Sequence, residues 1–267
     1  MDVNKNSYTI VFATIMVIIV AALLSSAAIG LKPFQSKNIE QEKKQNILKS
    51  VGVEVSRDQA EIVYPIYIKE ELVVNHLGEL QQGSAFNVDL SKEVRKEVKD
   101  QSFPLYIAEV DGEVRYIIPL RGKGLWGPIW GFISIEKDLN TISAAVFDHK
   151  SETPGLGAEI NRPSFQDPFK GKKIINEGEF VSVVVLKKPD NEISLEHQVD
   201  GISGGTITSD GVSEMIKERL ERYLPYFKSL SAEMQVDEVL SFVDEDEKSD
   251  TTSSTMNEQN KTSNDYE

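Results

Sequence analysis

The sequence predicts an α+β protein: one N-terminal transmembrane helix, then one mixed domain whose strands are mainly antiparallel. Three observations carry this. Tyr8 to Leu31 holds no Asp, Glu, Lys, Arg or His. Beyond it, short β-type runs follow one another with tight turns such as Asp111-Gly112 between them. Helical periodicity recurs at both ends of that stretch, which fits an α+β domain better than a doubly wound one.

The core of the apolar run, Ile10–Leu31, spans roughly 33 Å as a helix, about one hydrocarbon core. Ser26-Ala27-Ala28 would serve as a cleavage site, but the run exceeds the roughly 7–15 apolar residues of a signal peptide, so a retained anchor is expected. Lys32-Pro33 is expected to end the helix at the membrane surface. Only Lys5 precedes the run, whereas Lys32, Lys37, Lys43 and Lys44 follow it, a count that favours a cytoplasmic body, although long domains cross regardless of flanking charge.

After the anchor, Ile39, Ile47, Leu48 and Val51 mark a short amphipathic helix over Ile39–Val51. Ser56-Arg57-Asp58 can cap a second helix over Gln59–Ile68, weakened by Pro65. Strands are expected at Leu72–Val74, Leu105–Val110, Val114–Pro119, Phe132–Glu136, Ile142–Phe147 and Val181–Leu186. In Val212–Leu224 the apolar positions step by three and four, as in a helix packed on a core. Asp244–Glu267 has eight acidic residues and only Met256 and Tyr266 as large apolar groups, so it is expected to be a disordered acidic tail. The expected organisation is therefore a stub over 1–9, a membrane helix over 10–31, one domain over 32–243 and the tail over 244–267.

Among 267 residues there is no cysteine, which excludes a disulfide scaffold, Cys-ligated clusters and a thiol nucleophile. A net charge of −14 argues against nucleic acid as a partner. There is no Walker A and no G-x-G-x-x-G. His76, His149 and His197 lack metal-ligand spacing, so neither a metal site nor a catalytic residue is expected.

Three glycine-rich segments stand out. Gly122-Lys123-Gly124-Leu125-Trp126-Gly127-Pro128-Ile129-Trp130-Gly131 holds both tryptophans of the chain. Taken alone it reads as a hairpin with core aromatics, or as a place where a flat ligand approaches the backbone. Glu152-Thr153-Pro154-Gly155-Leu156-Gly157 is a rigid turn with amides available to a ligand. Asp200-Gly201-Ile202-Ser203-Gly204-Gly205-Thr206-Ile207-Thr208-Ser209 lies just before the Val212 helix, with Thr208, Ser209 or Asp210 as candidate caps. It suits either a capped turn or a phosphate.

Together and in this order, the single span and the three segments resemble the C subunit, the covalent FMN-binding one, of the bacterial Na⁺-translocating NADH:quinone reductases. The resemblance covers the anchor and the domain to about Leu230. The last segment is similar to that family's flavinylation signature, Asp-x-x-(Ser/Thr)-Gly-Ala-Thr. Asp200, Ser203, Gly204 and Thr206 stand on the matching positions, and Gly205 stands where the pattern usually has Ala. The resemblance implies FMN held by a phosphoester to Thr206, attached from FAD by a separate Mg²⁺-dependent flavin transferase. Flavin contacts are expected from Ser203, Gly204, Gly205 and Asp200, from Glu152, Thr153, Gly155, Leu156 and Gly157, and from Trp126. It further implies an electron relay toward quinone coupled to sodium export, among the other subunits of a membrane oxidoreductase. The body would be periplasmic and the anchor in the inner membrane. Alternatives are the G subunit of the related ferredoxin–NAD⁺ electron-transport complex, or a flavin-free membrane-anchored binding module.

Overall fold

The structure, a computed structural model, describes residues 6–235. Its first element, α1 (Asn6–Lys49), is one helix of 44 residues, about 66 Å long. The expected stop at Lys32-Pro33 is therefore corrected: Pro33 lies inside the helix. Proline there removes one amide-to-carbonyl bond and crowds one carbonyl, while the turns on either side remain and the far end is anchored by packing. The amphipathic segment also needs adjustment. Ile47, Leu48 and Val51 are buried, but Ile39 is 67% exposed. The acidic tail over 244–267 lies outside the described residues.

α2 (Arg57–Tyr67) begins with a complete capping box between Ser56 and Gln59 and retains Pro65 near its end. It leads directly into β1 (Ile68–Val74), which pairs with β2 (Leu80–Gln81). The short α3 (Leu90–Glu93) follows. Then β3 (Phe103–Val110), β4 (Glu113–Lys123), β5 (Pro128–Glu136) and β6 (Ile142–His149) complete a sheet in the order β2-β1-β3-β4-β5-β6, with every pairing antiparallel. A one-turn helix α4 (Pro163–Gln166) and the small hairpin β7 (Ile175–Asn176) with β8 (Glu179–Phe180) lie beyond it. The apolar stretch from Val181 is a strand only over β9 (Val184–Leu186), because Ser182 has a φ of 65°. β9 pairs in parallel with β10 (Gln198–Asp200). The last named helix, α5 (Thr206–Glu221), starts six residues earlier than its periodicity suggests, so Thr208, Ser209 and Asp210 lie inside its opening turns and none of them is the cap.

The sheet is buried on both sides, which explains why its central strands read as continuous apolar runs. Alternate residues serve two separate cores. Leu105, Tyr116, Ile118 and Ile133 pack with Val212, Met215, Ile216 and Leu220 of α5. Tyr106, Ala108, Ile117 and Phe132 pack with Ile47, Leu48, Ala60 and Tyr64 of α1 and α2. The helix that carries the apolar span is thus wedged into the domain, and the Arg115 guanidinium donates to the Val51 carbonyl at 3.2 Å just beyond its end.

Candidate functional site

The three glycine-rich segments, well separated in the chain, meet at one end of α5. The first is the tip of the β4–β5 hairpin, where the Gly124 amide donates to the Gly127 carbonyl at 2.8 Å. The second is the loop after β6. The third is the turn between β10 and α5, closed by the Gly205 amide on the Ile202 carbonyl at 2.9 Å.

A single buried carboxylate joins them. Glu152 is 5% exposed; its Oε1 accepts from the Trp126 amide at 2.8 Å, and its Oε2 accepts from the Thr208 hydroxyl at 2.7 Å. Its own amide donates to His149 Nδ1 at 3.2 Å, which gives that histidine a structural role. A Cβ on Gly124 or on Gly157 would stand 2.6 Å from a Glu152 oxygen, and the Cβ of Gly157 would also collide with the Thr208 hydroxyl. The glycines are therefore required by close packing around this carboxylate. Gly204 has a φ of 77°, and Leu156 lies across it.

The start of α5 is chemically open. Gly205 occupies its cap position, makes no side-chain cap bond, and the first turn holds no acidic residue. Among the described residues, the amides of Thr206, Ile207 and Thr208 have no hydrogen-bond partner. Thr206 is the first helical residue and its side chain is exposed. The segments that meet here leave large apolar groups exposed, among them Trp126 at 66%, Ile207 at 57% and Leu156 at 40%. Helix-start amides favour an anion, and an adjacent apolar rim suits a flat ring. Phosphate oxygens on the amides and an aromatic ring over Trp126 and Leu156 fit these groups.

Of the residues singled out in the sequence, Thr206, Ser203, Gly204, Gly205, Leu156, Gly157 and Trp126 border this opening. Glu152 lies beneath it with both oxygens engaged by the protein, Gly155 donates its amide to Glu159 at 2.9 Å on the outer side of the loop, and Thr153 and Asp200 are exposed. Sequence reasoning includes Ile207 in the third segment without giving it a role, and offers Thr208 only as a cap. It misses Gly211, which packs on the Lys123 carbonyl, although a glycine within a helical pattern is the kind of signal that marks close packing.

Fold and site together define a flavin-domain protein with one N-terminal membrane-type helix. The chain matches the FMN-binding domain family over residues 124–221, which takes in most of the first segment, the other two and α5. It is 32% identical over 212 residues to the C subunit of the Na⁺-translocating NADH-quinone reductase of Vibrio alginolyticus, covering 73% of this chain and 82% of the relative. With the same subunit of Haemophilus ducreyi it shares 29% identity over 233 residues, covering 80% and 90%. The crystal structure of that subunit from Parabacteroides distasonis is 48% identical, with a TM-score of 0.69 over 73% of this chain and 96% of that one. The NqrC structure from Shewanella oneidensis, at 24% identity and a TM-score of 0.62, shares the fold. The chain belongs to the C-subunit family of the Na⁺-translocating NADH-quinone reductases, membrane oxidoreductase components that carry an FMN-binding domain.

Proposed function

We propose that this subunit holds FMN covalently, through a phosphoester to the hydroxyl of Thr206, and relays electrons toward quinone. The observation that carries the reading is the exposed hydroxyl on the first residue of α5, beside three amides without partners among the described residues. In the attachment step, Thr206 Oγ1 bonds to the phosphorus of the FMN half of FAD and the pyrophosphate bond to AMP breaks. The threonine proton passes to a base on the flavin transferase, which also supplies Mg²⁺; among the described residues the nearby Glu152 carboxylate is already engaged by Trp126 and Thr208. Ser203, Gly204 and Gly205 leave the hydroxyl accessible. The amides of 206–208 hold the phosphate, and Trp126 and Leu156 flank the ring.

When bound, the flavin supplies the electron-carrying chemistry. The chain's residues position it and keep its attachment rigid. Glu152 does this from below by tying the hairpin tip and the first turn of α5 together. We further infer that α1 spans the inner membrane with the domain on the periplasmic side, within a complex of several subunits. The relatives named above favour the sodium-translocating reductase over the ferredoxin–NAD⁺ complex.

Co-expression with a flavin transferase tests the attachment. A fluorescent band on a denaturing gel and an FMN-sized mass increase on the peptide containing Thr206 are expected; a colourless protein despite an active transferase would sink the reading. Orientation is read separately. With no native cysteine, Leu195→Cys, at a position 69% exposed, should react with a membrane-impermeant thiol reagent while the inner membrane is intact.

A further inference from the structure

The two tryptophans of the Gly122–Gly131 segment part company in the fold. Trp126 sits at the hairpin tip with its amide on Glu152, whereas Trp130, on β5, shares with Phe132 the sheet face that α1 and α2 cover. The helices cover only part of that face. The remainder is the floor of a cleft of about 690 Å³, walled by α1 from Ser36 to Asn46 and by the segment from Phe86 into the start of α3 at Ser91. Tyr106, Pro119, Trp130 and Phe132 are among its apolar lining, and Ile39, left exposed on α1, faces it. This volume is typical of a site that encloses a ligand.

The charges that line the cleft are not all ion-paired among the described residues. Its carboxylates have partners: Glu40 pairs with Lys44 at 2.9 Å, Glu42 with Arg57 at 3.3 Å and Asp89 with Lys92 at 3.6 Å. Its two remaining cations, Lys43 and Arg121, make no ion pair among the described residues. Lys43 donates to the Phe86 carbonyl at 2.5 Å and lies 4.4 Å from the centre of the Phe86 ring. Arg121 lies 5.7 Å from the Trp130 ring. Burial lowers the pKa of both, against the opposing pull of Glu71 and Asp89 on Lys43 and of Asp89 on Arg121, carboxylates that attract them from beyond ion-pair distance. An occupant that brings a carboxylate and apolar side chains would complete this site.

Height along α1 decides between a lipid and a protein. The headgroup layer extends roughly 5–8 Å beyond the hydrocarbon core on each side. Ser36 lies about 8 Å past Leu31 along the helix axis and Lys43 about 18 Å past it, so most of the cleft stands above the headgroups. A protein segment reaches that height, and Trp, Tyr and Arg are the residue types that dominate protein interfaces.

We propose that the cleft between α1, the Phe86–Ser91 segment and Trp130 docks an extramembrane segment of a neighbouring membrane subunit, one with apolar side chains and an Asp, Glu or C-terminal carboxylate directed to Arg121. This rests on the reading that the chain works within a complex of several subunits. The docked segment would hold the domain at a fixed orientation over the membrane, on the opposite side of the sheet from Thr206.

The test places a photo-crosslinking phenylalanine analogue at Val88 in the full-length chain, expressed with its sibling subunits. The expected adduct is a loop peptide of a membrane subunit that contains an acidic residue. Arg121→Glu and, separately, Ile39→Asp should each lower its yield by about tenfold or more, as reversal or disruption of an interface contact does. Ile39 is exposed, so the second variant does not disturb folding. Adducts on lipid, adducts on residues 236–267 of the same chain, or yields unchanged in both variants would overturn the proposal. Affinity purification in mild detergent separates the two readings. A complex recovered without a cleft adduct defeats the docking site alone, while recovery of the chain by itself defeats the reading of a larger complex beneath it.

Discussion

α2 and α5 each start at a turn and each cover one face of the same sheet, yet their N-termini are finished in opposite ways. At α2 the Ser56 hydroxyl accepts from the Gln59 amide and the Gln59 side chain accepts from the Ser56 amide, so the helix start is closed by its own sequence. At α5 a glycine stands at the cap, no side chain bonds the first amides, and support comes from the distant Glu152 through the Thr208 hydroxyl. A helix end closed by its own side chains has few donors left for a ligand. One held from outside keeps its amides free while remaining rigid. The difference supports the proposal that α5, the one supported from elsewhere in the chain, is the end that binds.

The comparison can be pressed at five places. The largest effect is expected at Thr206. Thr206→Ala should remove the covalent flavin entirely, read by denaturing-gel fluorescence and intact mass, while leaving thermal stability nearly unchanged because the side chain is exposed. Retention of the adduct would move the attachment point elsewhere on α5.

Glu152→Ala comes next. It leaves the Trp126 amide and the Thr208 hydroxyl without their acceptor, a loss of about 1–3 kcal/mol in chemical denaturation, and flavin loading should fall with it. Glu152→Gln is the control. Its carbonyl can still accept from Trp126 while its amide donates to the Thr208 hydroxyl, so most of the stability should return. Equal losses in the two variants would show that charge, rather than the bridge, supports α5.

Gly157→Ala should destabilise by about 1–2 kcal/mol, because the new methyl overlaps the Glu152–Thr208 contact and the core there is closely packed. A neutral outcome would mean that the carboxylate can move aside and is not a fixed strut. At α2, Ser56→Ala should cost about 1 kcal/mol through the broken capping box and leave flavin loading untouched. The smallest change is expected at the cap of α5 itself. Gly205 has a φ of −108°, open to any residue, and an added Cβ would meet Ile202 at 3.0 Å and the Gly157 amide at 3.3 Å. Gly205→Ala should therefore shift stability by less than about 1 kcal/mol and keep the flavin, as the usual alanine of the family's pattern at this position suggests.

Much of this is legible without coordinates. The apolar run, the alternation of turns and strands, and the Ser56 cap are local signals, because burial, turn geometry and capping each depend on residues close in sequence. The three glycine segments are visible as well, and Thr206 can be picked out by its resemblance to a signature. What residue patterns cannot show is the reason for the glycines. Gly124 and Gly157 are small because Glu152 lies against both, and only folding brings those positions together. The same applies to Thr208, which looks like a cap in sequence and is a bridge in the fold. Pro33 looks like a terminator, yet one missing hydrogen bond does not end a helix whose far end is anchored by packing. The division of the tryptophans, one beside the proposed flavin site and one over the cleft, is likewise a tertiary decision. Trp126 lies in the hairpin turn and Trp130 on the strand that follows it, and which of the two becomes part of a site depends on the elements that arrive to pack beside it.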